Sequence, residues 1–142
     1  MSITLITICL NSAATLQRCL DSVLLQTCKP DEYLFVDGGS SDTTLAILEE
    51  QLPRLQAAGM RARVIQQQQE PEVAGIPAAW NLGLKNASGE IIALLNSDDW
   101  YEPQTLQTVS QAFAAGDLLD GVVCPVNLLA AGQIVKILPA RS

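Results

Sequence analysis

The sequence predicts an α/β fold, a mostly parallel sheet with helices on both faces. Three observations carry that prediction. Short β-branched apolar runs alternate along the chain with longer amphipathic stretches, the order produced when crossover helices join parallel strands. Within the runs the apolar residues are consecutive rather than alternating, as in strands covered on both faces. Asn, Asp, Ser and Gly gather where the runs end, and open α/β sheets bind ligands outside the carboxyl ends of their strands.

Each element follows in order. Ile3 to Leu10 is apolar and β-branched, a buried strand. Asn11-Ser12 is a helix-capping signal. Leu16, Cys19, Leu20, Val23 and Leu24 then recur as one helical stripe that stops at Lys29-Pro30-Asp31. Tyr33 to Val36 is a second strand. The loop Asp37-Gly38-Gly39-Ser40-Ser41-Asp42 supplies glycines for positive φ and a cap for a helix from Thr43 to Leu55. Arg63 to Ile65 is a weak strand, and Gln66 to Glu72 reads as loop. Ala78 to Ala87 is a helix punctuated by Gly83, and Glu90 to Leu95 a buried strand. Pro103 suits the first turn of a helix reaching Ala115. Val122 to Cys124 and Ile134 to Ile137 are two late strands joined through Ala131-Gly132.

Length and composition agree with this plan. The chain has 142 residues, 49% hydrophobic and 16% charged, which suits one packed domain and excludes a disordered chain. No repeat or linker divides it, so residues 1–142 are expected to form a single domain. The net charge of −7 argues against nucleic acid as a partner. The absence of His excludes a Ser-His-Asp triad and every His-containing zinc site. No run approaches the ~18 to 20 apolar residues of a membrane span, and no signal-peptide pattern opens the chain. Cys9, Cys19, Cys28 and Cys124 match no metal-binding spacing and read as reduced, partly buried thiols. The expected location is cytoplasmic, with any contact at the inner face of the membrane made through partners.

The acids of interest are Asp37, after the second strand, and Asp98 with Asp99, after the apolar strand ending at Leu95. Adjacent carboxylates repel, and a dication such as Mg²⁺ or Mn²⁺ relieves that repulsion while accepting phosphate oxygens as further ligands. A solvated turn that caps the next helix explains the same pair. Asp37-Gly38-Gly39-Ser40 is likewise either a turn and cap or a loop that meets a base or ribose. The turn after the first strand, Asn11 to Ala14, lacks the glycines of a dinucleotide fingerprint. Residues 66–84 and 86–135 hold no Lys or Arg, so a diphosphate there would need a bridging cation.

With these motifs placed, the chain resembles the family 2 glycosyltransferases, whose nucleotide-binding half has the Rossmann-like GT-A fold. The resemblance spans about residues 3 to 127. It runs through Ile6 to Asn11, Ser22 to Thr27, Val36 to Thr43, Gly75-Ile76, Asn81-Leu82-Gly83, Ala87 to Glu90 and Leu94 to Asp99, in that order. It implies a nucleotide-diphospho-sugar donor, often a UDP-sugar, and transfer with inversion to an acceptor hydroxyl. A glycan or lipid-linked glycan is the expected acceptor, in surface polysaccharide synthesis.

Residue by residue, Asn11 is placed near the nucleotide and Asp37 at the acid that helps hold the base. Asp98 and Asp99 match the DXD-type motif at the ribose and the metal-bound diphosphate. Asp99 is the expected direct ligand of Mn²⁺ or Mg²⁺, with Asp98 beside it. Asn81 and Gly83 are expected to order the helix beneath the site, and Trp80 to pack.

Departures stand out. Gly38 replaces an acid found in many members, and Asn96 another. Family domains run longer, so the C-terminal part reads as short, and the base that deprotonates the acceptor is expected beyond Ser142. Asp117 and Asp120 are poor substitutes. The competing readings are a non-catalytic nucleotide-sugar or metal-binding module, or a truncated remnant lacking its base, and a structural α/β domain. Uncovered apolar residues among Val122, Val123, Ile134, Val135, Ile137 and Leu138 predict a homo-oligomer.

Overall fold

The structure is a computed structural model that describes residues 1–68, 74–116 and 119–138, without the side chains of Val135 and Leu138. The expected loop residues Gln69 to Glu72, and Asp117, lie outside the described residues. In chain order the elements are β1 (Ile3–Cys9), α1 (Leu16–Leu24), β2 (Glu32–Asp37), α2 (Thr44–Ala57), β3 (Arg61–Gln66), α3 (Ile76–Asn86), β4 (Ile91–Leu94), α4 (Thr105–Ala115), β5 (Val126–Ala130) and β6 (Gln133–Leu138). The chain divides into two compact units, Met1–Ser110 and Gln111–Ser142. Among the described residues no helix is long and apolar enough to cross a membrane.

The first unit is built on a parallel sheet of order β3-β2-β1-β4. β1 is central, and all of it except Ile8 is buried. Strand alternation sorts its side chains between two layers. Ile6 shares a face with Leu34 and Val36, packed beneath Ala79 of α3. Leu5 and Thr7 share the opposite face with Tyr33 and Phe35, where Cys19 of α1 lies 3.8 Å from the Tyr33 hydroxyl. The α1 stripe buries Leu16, Cys19, Leu20 and Val23 as its periodicity predicts.

Three expectations are corrected. Asn11-Ser12 does not cap α1 directly. The chain first makes a turn in which the amides of Thr15 and Leu16 both donate to the Ser12 carbonyl, and the helix begins at Leu16. β4 is not covered on both faces. Ile91 and Ala93 are buried, but Ile92 and Leu94 are 38% and 49% exposed, because α3 packs on β1 and β2 rather than on this edge strand. Val122 to Cys124 is not a strand. Pro125 lacks the N–H a ladder needs, and β5 starts one residue after it.

In the second unit β5 and β6 form an antiparallel hairpin. It turns through Ala131 and Gly132 at φ of 50° and 77°, the positive values a tight hairpin demands. Val123, Ile134 and Ile137 are exposed.

Two close approaches hold the first unit together. A Cβ on Gly83 would sit 2.6 Å from Cγ2 of Ile6, so glycine lets α3 approach the sheet. At the other end of the sheet, Glu32 is buried on β2 and accepts from the Thr4 hydroxyl (2.8 Å) and from the amide and hydroxyl of Ser88 (2.9 and 3.1 Å). Burial pushes the Glu32 carboxyl up. The hydrogen bonds from Ser88 and Thr4, helped by the charge of Arg61, outweigh it and hold the carboxyl below its usual range.

Two outcomes follow from this packing. Gly83→Ala overpacks the helix–sheet contact and should cost about 1–3 kcal/mol in denaturant unfolding. Glu32→Gln should cost about 1–3 kcal/mol at neutral pH. A depressed folded-state pKa contributes stability above the unfolded value and loses it as pH falls through the folded one. The gap between wild type and Glu32→Gln should therefore shrink on acidification below about pH 4, read from unfolding curves at several pH values.

Candidate functional site

Three strand ends meet in one hollow. β1 ends in Leu10-Asn11-Ser12, β2 in Asp37-Gly38, and β4 in Asn96-Ser97-Asp98. All but Asp37 of these residues line a cavity of about 660 Å³, closed on another side by Gln67 and by Gly75 and Ile76 at the start of α3. That volume lies within the range of small-molecule sites. Asp98 is its one lining carboxylate, and no Lys or Arg lines it among the described residues.

Asn11 organises one side of the hollow. Its φ is 50°, a left-handed conformation that Asn tolerates better than most residues. The turn aims its Oδ1 at the loop after β2, where it accepts from the amides of Ser41 (2.8 Å) and Asp42 (3.3 Å). Its own amide donates to Ser40 Oγ at 2.9 Å. Ser12 continues the clasp, its amide donating to Thr44 Oγ1 at 2.8 Å. Asp42 closes it by accepting from the Thr44 hydroxyl (2.6 Å), the Thr44 amide (2.9 Å) and the Ala13 amide (3.2 Å). Those bonds, the Thr44 hydroxyl foremost, hold the Asp42 carboxyl below its usual range.

Asp37 is 1% exposed. Its Oδ2 accepts from the amides of Gly39 and Ser40, both at 3.0 Å, and its Oδ1 from the Ser40 hydroxyl at 2.6 Å. Gly39 adopts the positive φ, 93°, that this ring requires, whereas Gly38 does not. The carboxylate holds its own loop, and Gly38 carries that loop to the cavity wall.

Asp98 and Asp99 are both exposed. They sit on a tight turn closed by the Asp99 amide donating to the Asn96 carbonyl at 3.1 Å. The Asn96 side chain reaches Asp99 Oδ2 at 3.4 Å. Beneath the turn, burial pushes the Cys19 thiol up to about 11. The Tyr33 and Thr7 hydroxyls oppose that rise, and the negative charges of Asp99 and Asp98 add to it. Burial likewise pushes Cys9, on the cavity wall, up to about 12. Both thiols stay protonated at neutral pH, and all four cysteines are free.

No cluster of three His, Cys, Asp or Glu side chains converges on one point among the described residues. The donor set offered is two carboxylates, with hydroxyl and amide oxygens alongside. An all-oxygen, incomplete set suits Mg²⁺ or Mn²⁺ shared with substrate phosphates, which need one or two protein carboxylates and complete their shell from phosphate and water. The set therefore fits the metal expected from the sequence.

Sequence reasoning missed several partners. Arg18 stacks on Trp100, next to Asp99, with its guanidinium carbon 3.4 Å from the ring centroid, a cation–π contact. Ser12 Oγ pairs with Ser97 Oγ at 2.7 Å, joining the ends of β1 and β4. Lone Ser and Arg residues carry no pattern that announces such contacts. Asn81 is exposed and lines a second hollow beside Gln66 and Lys85. Trp80 packs, partly buried, against the α3 side of the core.

A parallel sheet flanked by helices, with a hollow at its carboxyl edge and an acidic turn after β4, defines the class of α/β protein, and its fold matches that of GT-A glycosyltransferases. The family model described as Glycosyl transferase family 2 matches residues 4–127, and the chain belongs to that family. The glycosyltransferase GlyA of Streptococcus pneumoniae is 37% identical over 94 residues, 66% of this chain and 12% of GlyA. S. aureus TarS 1–349, solved in complex with UDP-GlcNAc, superposes with a TM-score of 0.66 at 27% identity, over 80% of this chain and 31% of that one. Glucosyl-3-phosphoglycerate synthase from Mycobacterium tuberculosis, solved with Mn²⁺, UDP and glucosyl-3-phosphoglycerate, gives 0.58 at 27% identity, over 82% of this chain and 40% of that one. The chain thus spans less than half the length of each.

The Asn11 clasp makes a separable prediction. Asn11→Ala loses both the accepted hydrogen bonds and the tolerated left-handed turn, whereas Asn11→Gly loses only the bonds. Thermal or chemical unfolding should find Asn11→Ala less stable than Asn11→Gly by about 1 kcal/mol.

Proposed function

We propose that this chain binds a nucleotide-diphospho-sugar, with UDP as the nucleotide, together with Mn²⁺ or Mg²⁺, for transfer of the sugar to an acceptor hydroxyl with inversion. One observation carries the reading. The hollow where β1, β2 and β4 end has Asp98 on its wall, next in sequence to Asp99, and no lining cation among the described residues, so a diphosphate there would call for a metal held by these acids. Asp99 and Asp98 hold the metal in this reading, and Asp98, on the wall, also faces the donor. Asn11 lies along the nucleotide. Asp37 acts on it through the loop it holds, with Gly38 giving the base close access to the backbone. A bound metal would stabilise the negative charge of the diphosphate leaving group. UDP-bound and Mn²⁺-bound relatives of the same fold support the choice of ligands.

In the transfer, the acceptor oxygen bonds to the anomeric carbon, the bond to the diphosphate oxygen breaks, and the acceptor proton passes to a base. The base and the acceptor site are proposed to lie in the part of the longer relatives that this chain does not match. The acceptor is a glycan or lipid-linked glycan in surface polysaccharide synthesis. The chain is placed in the cytoplasm, at the inner membrane face through partners, and its exposed apolar residues make it a homo-oligomer. A second reading, binding without transfer, is favoured by Asp98 being the single carboxylate on the cavity wall among the described residues.

Titration calorimetry with UDP, with and without Mn²⁺, tests the proposal. Wild type should bind UDP more tightly with Mn²⁺. Asp99→Ala should lose more than about tenfold of the Mn²⁺-dependent affinity and leave metal-free binding nearly unchanged. Metal-dependent binding that survives Asp99→Ala removes Asp99 as a ligand, and no UDP binding in wild type sinks the reading. Donor consumption by the intact chain separates transfer from binding alone.

A further inference from the structure

We propose that α1 and the turns at its ends position the acidic turn: the side chains of Ser12, Thr15, Cys19, Ser22 and Gln26 grip the segment 96–106 and set where the Asp98 and Asp99 carboxylates stand. The functional half of this inference rests on the proposed reading of those two acids as metal and diphosphate ligands. The five residues are spaced by three and four, which places them on one face of a helical path. Each meets the segment in turn. Ser12 Oγ pairs with Ser97 Oγ at 2.7 Å, and Thr15 Oγ1 donates to the Ser97 carbonyl at 3.0 Å. Cys19 Sγ donates to the Asn96 carbonyl at 3.6 Å. Ser22 Oγ accepts from the Tyr101 amide at 3.2 Å. Gln26, 1% exposed, donates to the Glu102 carbonyl at 2.7 Å and accepts from the Leu106 amide at 3.0 Å.

The chemistry of this face is unusual for a helix packed in a core. Buried amide and hydroxyl groups gain little net energy over apolar packing, but they fix geometry, since each bond has a preferred length and direction. Between β4 and α4 the main chain is anchored at its two ends, the Leu95 amide donating to the Ile6 carbonyl at 3.0 Å and the Pro103 carbonyl accepting from the Thr27 amide at 2.9 Å, and these side chains hold the stretch between. Ser97 is held twice, immediately before Asp98. Carboxylates on a held peptide keep the spacing a metal needs. On a loose one, each binding event would have to order the turn first.

Two variants and one control test this in the full chain. Thr15→Val keeps the shape and removes the donor, and Thr15→Ser restores it. Ser22→Ala removes an acceptor at a residue remote from the cavity wall. Amide hydrogen exchange should quicken by about tenfold across residues 97–102 in Thr15→Val and Ser22→Ala, stay slow in β1, and return to the wild-type rate in Thr15→Ser. Mn²⁺-dependent UDP affinity should fall by about five- to tenfold in both variants, with metal-free UDP binding within about twofold of wild type in Ser22→Ala, which stands clear of the cavity wall. Unchanged exchange in both variants overturns the positioning role. Quickened exchange with unchanged Mn²⁺-dependent affinity overturns its functional half. If wild type binds no Mn²⁺-UDP, the proposed function fails, and the exchange measurement alone then decides whether α1 holds the turn.

Discussion

The clasp made by Asn11 and Ser12 is the interaction on which the site depends. A parallel sheet delivers all its strand ends to one edge, but it does not say how the loops leaving that edge are arranged. Here β1, in the middle of the sheet, supplies the arrangement. Asn11 turns left-handed and binds the amides of the loop after β2. The next residue binds the turn after β4 through its hydroxyl and the start of α2 through its amide. Two adjacent residues thus tie together three loops that arrive separately in sequence. Their side chains are short, so the loops are held close.

Charge accounts for what the hollow can accept. A cavity without a lining cation has no charge to offset a bare diphosphate, and the acidic rim at Asp98 repels one. A hydrated divalent ion reverses the sign of the same rim. The shortage of Lys and Arg from residue 66 to 135, where Lys85 stands alone, therefore has a structural meaning only once the hollow is seen. Arg18, the cation stacked on Trp100, does not line the hollow.

Much of the fold was legible in the sequence because burial imposes periodicity. β1 and the α1 stripe are the clearest cases: Ile3 to Cys9 except Ile8, and Leu16, Cys19, Leu20 and Val23, are buried as predicted, whereas Leu10 lies past the strand's end and is exposed and Leu24 is half-buried. Legibility failed where the outcome depends on which neighbour is present. Ile91 to Leu94 is as apolar as a strand covered twice, yet Ile92 and Leu94, on one of its faces, are exposed. The late strand slipped past Val122 to Cys124 because Pro125 denies the ladder an N–H, a local rule outvoted at first by β-branched composition. Glu32 gave no signal either. A carboxylate inside a strand reads as exposed until Thr4 and Ser88, far apart in sequence, are found to satisfy it. For the site, the positions of the acids at strand ends could be read. Their partners could not, because hydrogen bonds from Ser97, Thr15 and Gln26 leave no periodic trace.

The contrast between Asp37 and the Asp98–Asp99 pair shows how one residue type at equivalent strand ends comes to different uses. Asp37 has surrendered its solvent and takes three hydrogen bonds from its own loop in exchange. Pulling it toward a ligand would strand two amides and a hydroxyl, each of which costs free energy to leave unpaired in a buried place. It is therefore suited to shaping a binding loop rather than to leaving it. Asp98 and Asp99 are exposed, and their turn is closed by main-chain atoms. Their oxygens keep lone pairs open to solvent, where the ion of the proposed function would bind and relieve their mutual repulsion. The division of labour arises from where the glycines fall. After β2, Gly39 lets the chain curl back so that its amides reach Asp37, and after β4 no glycine does the same.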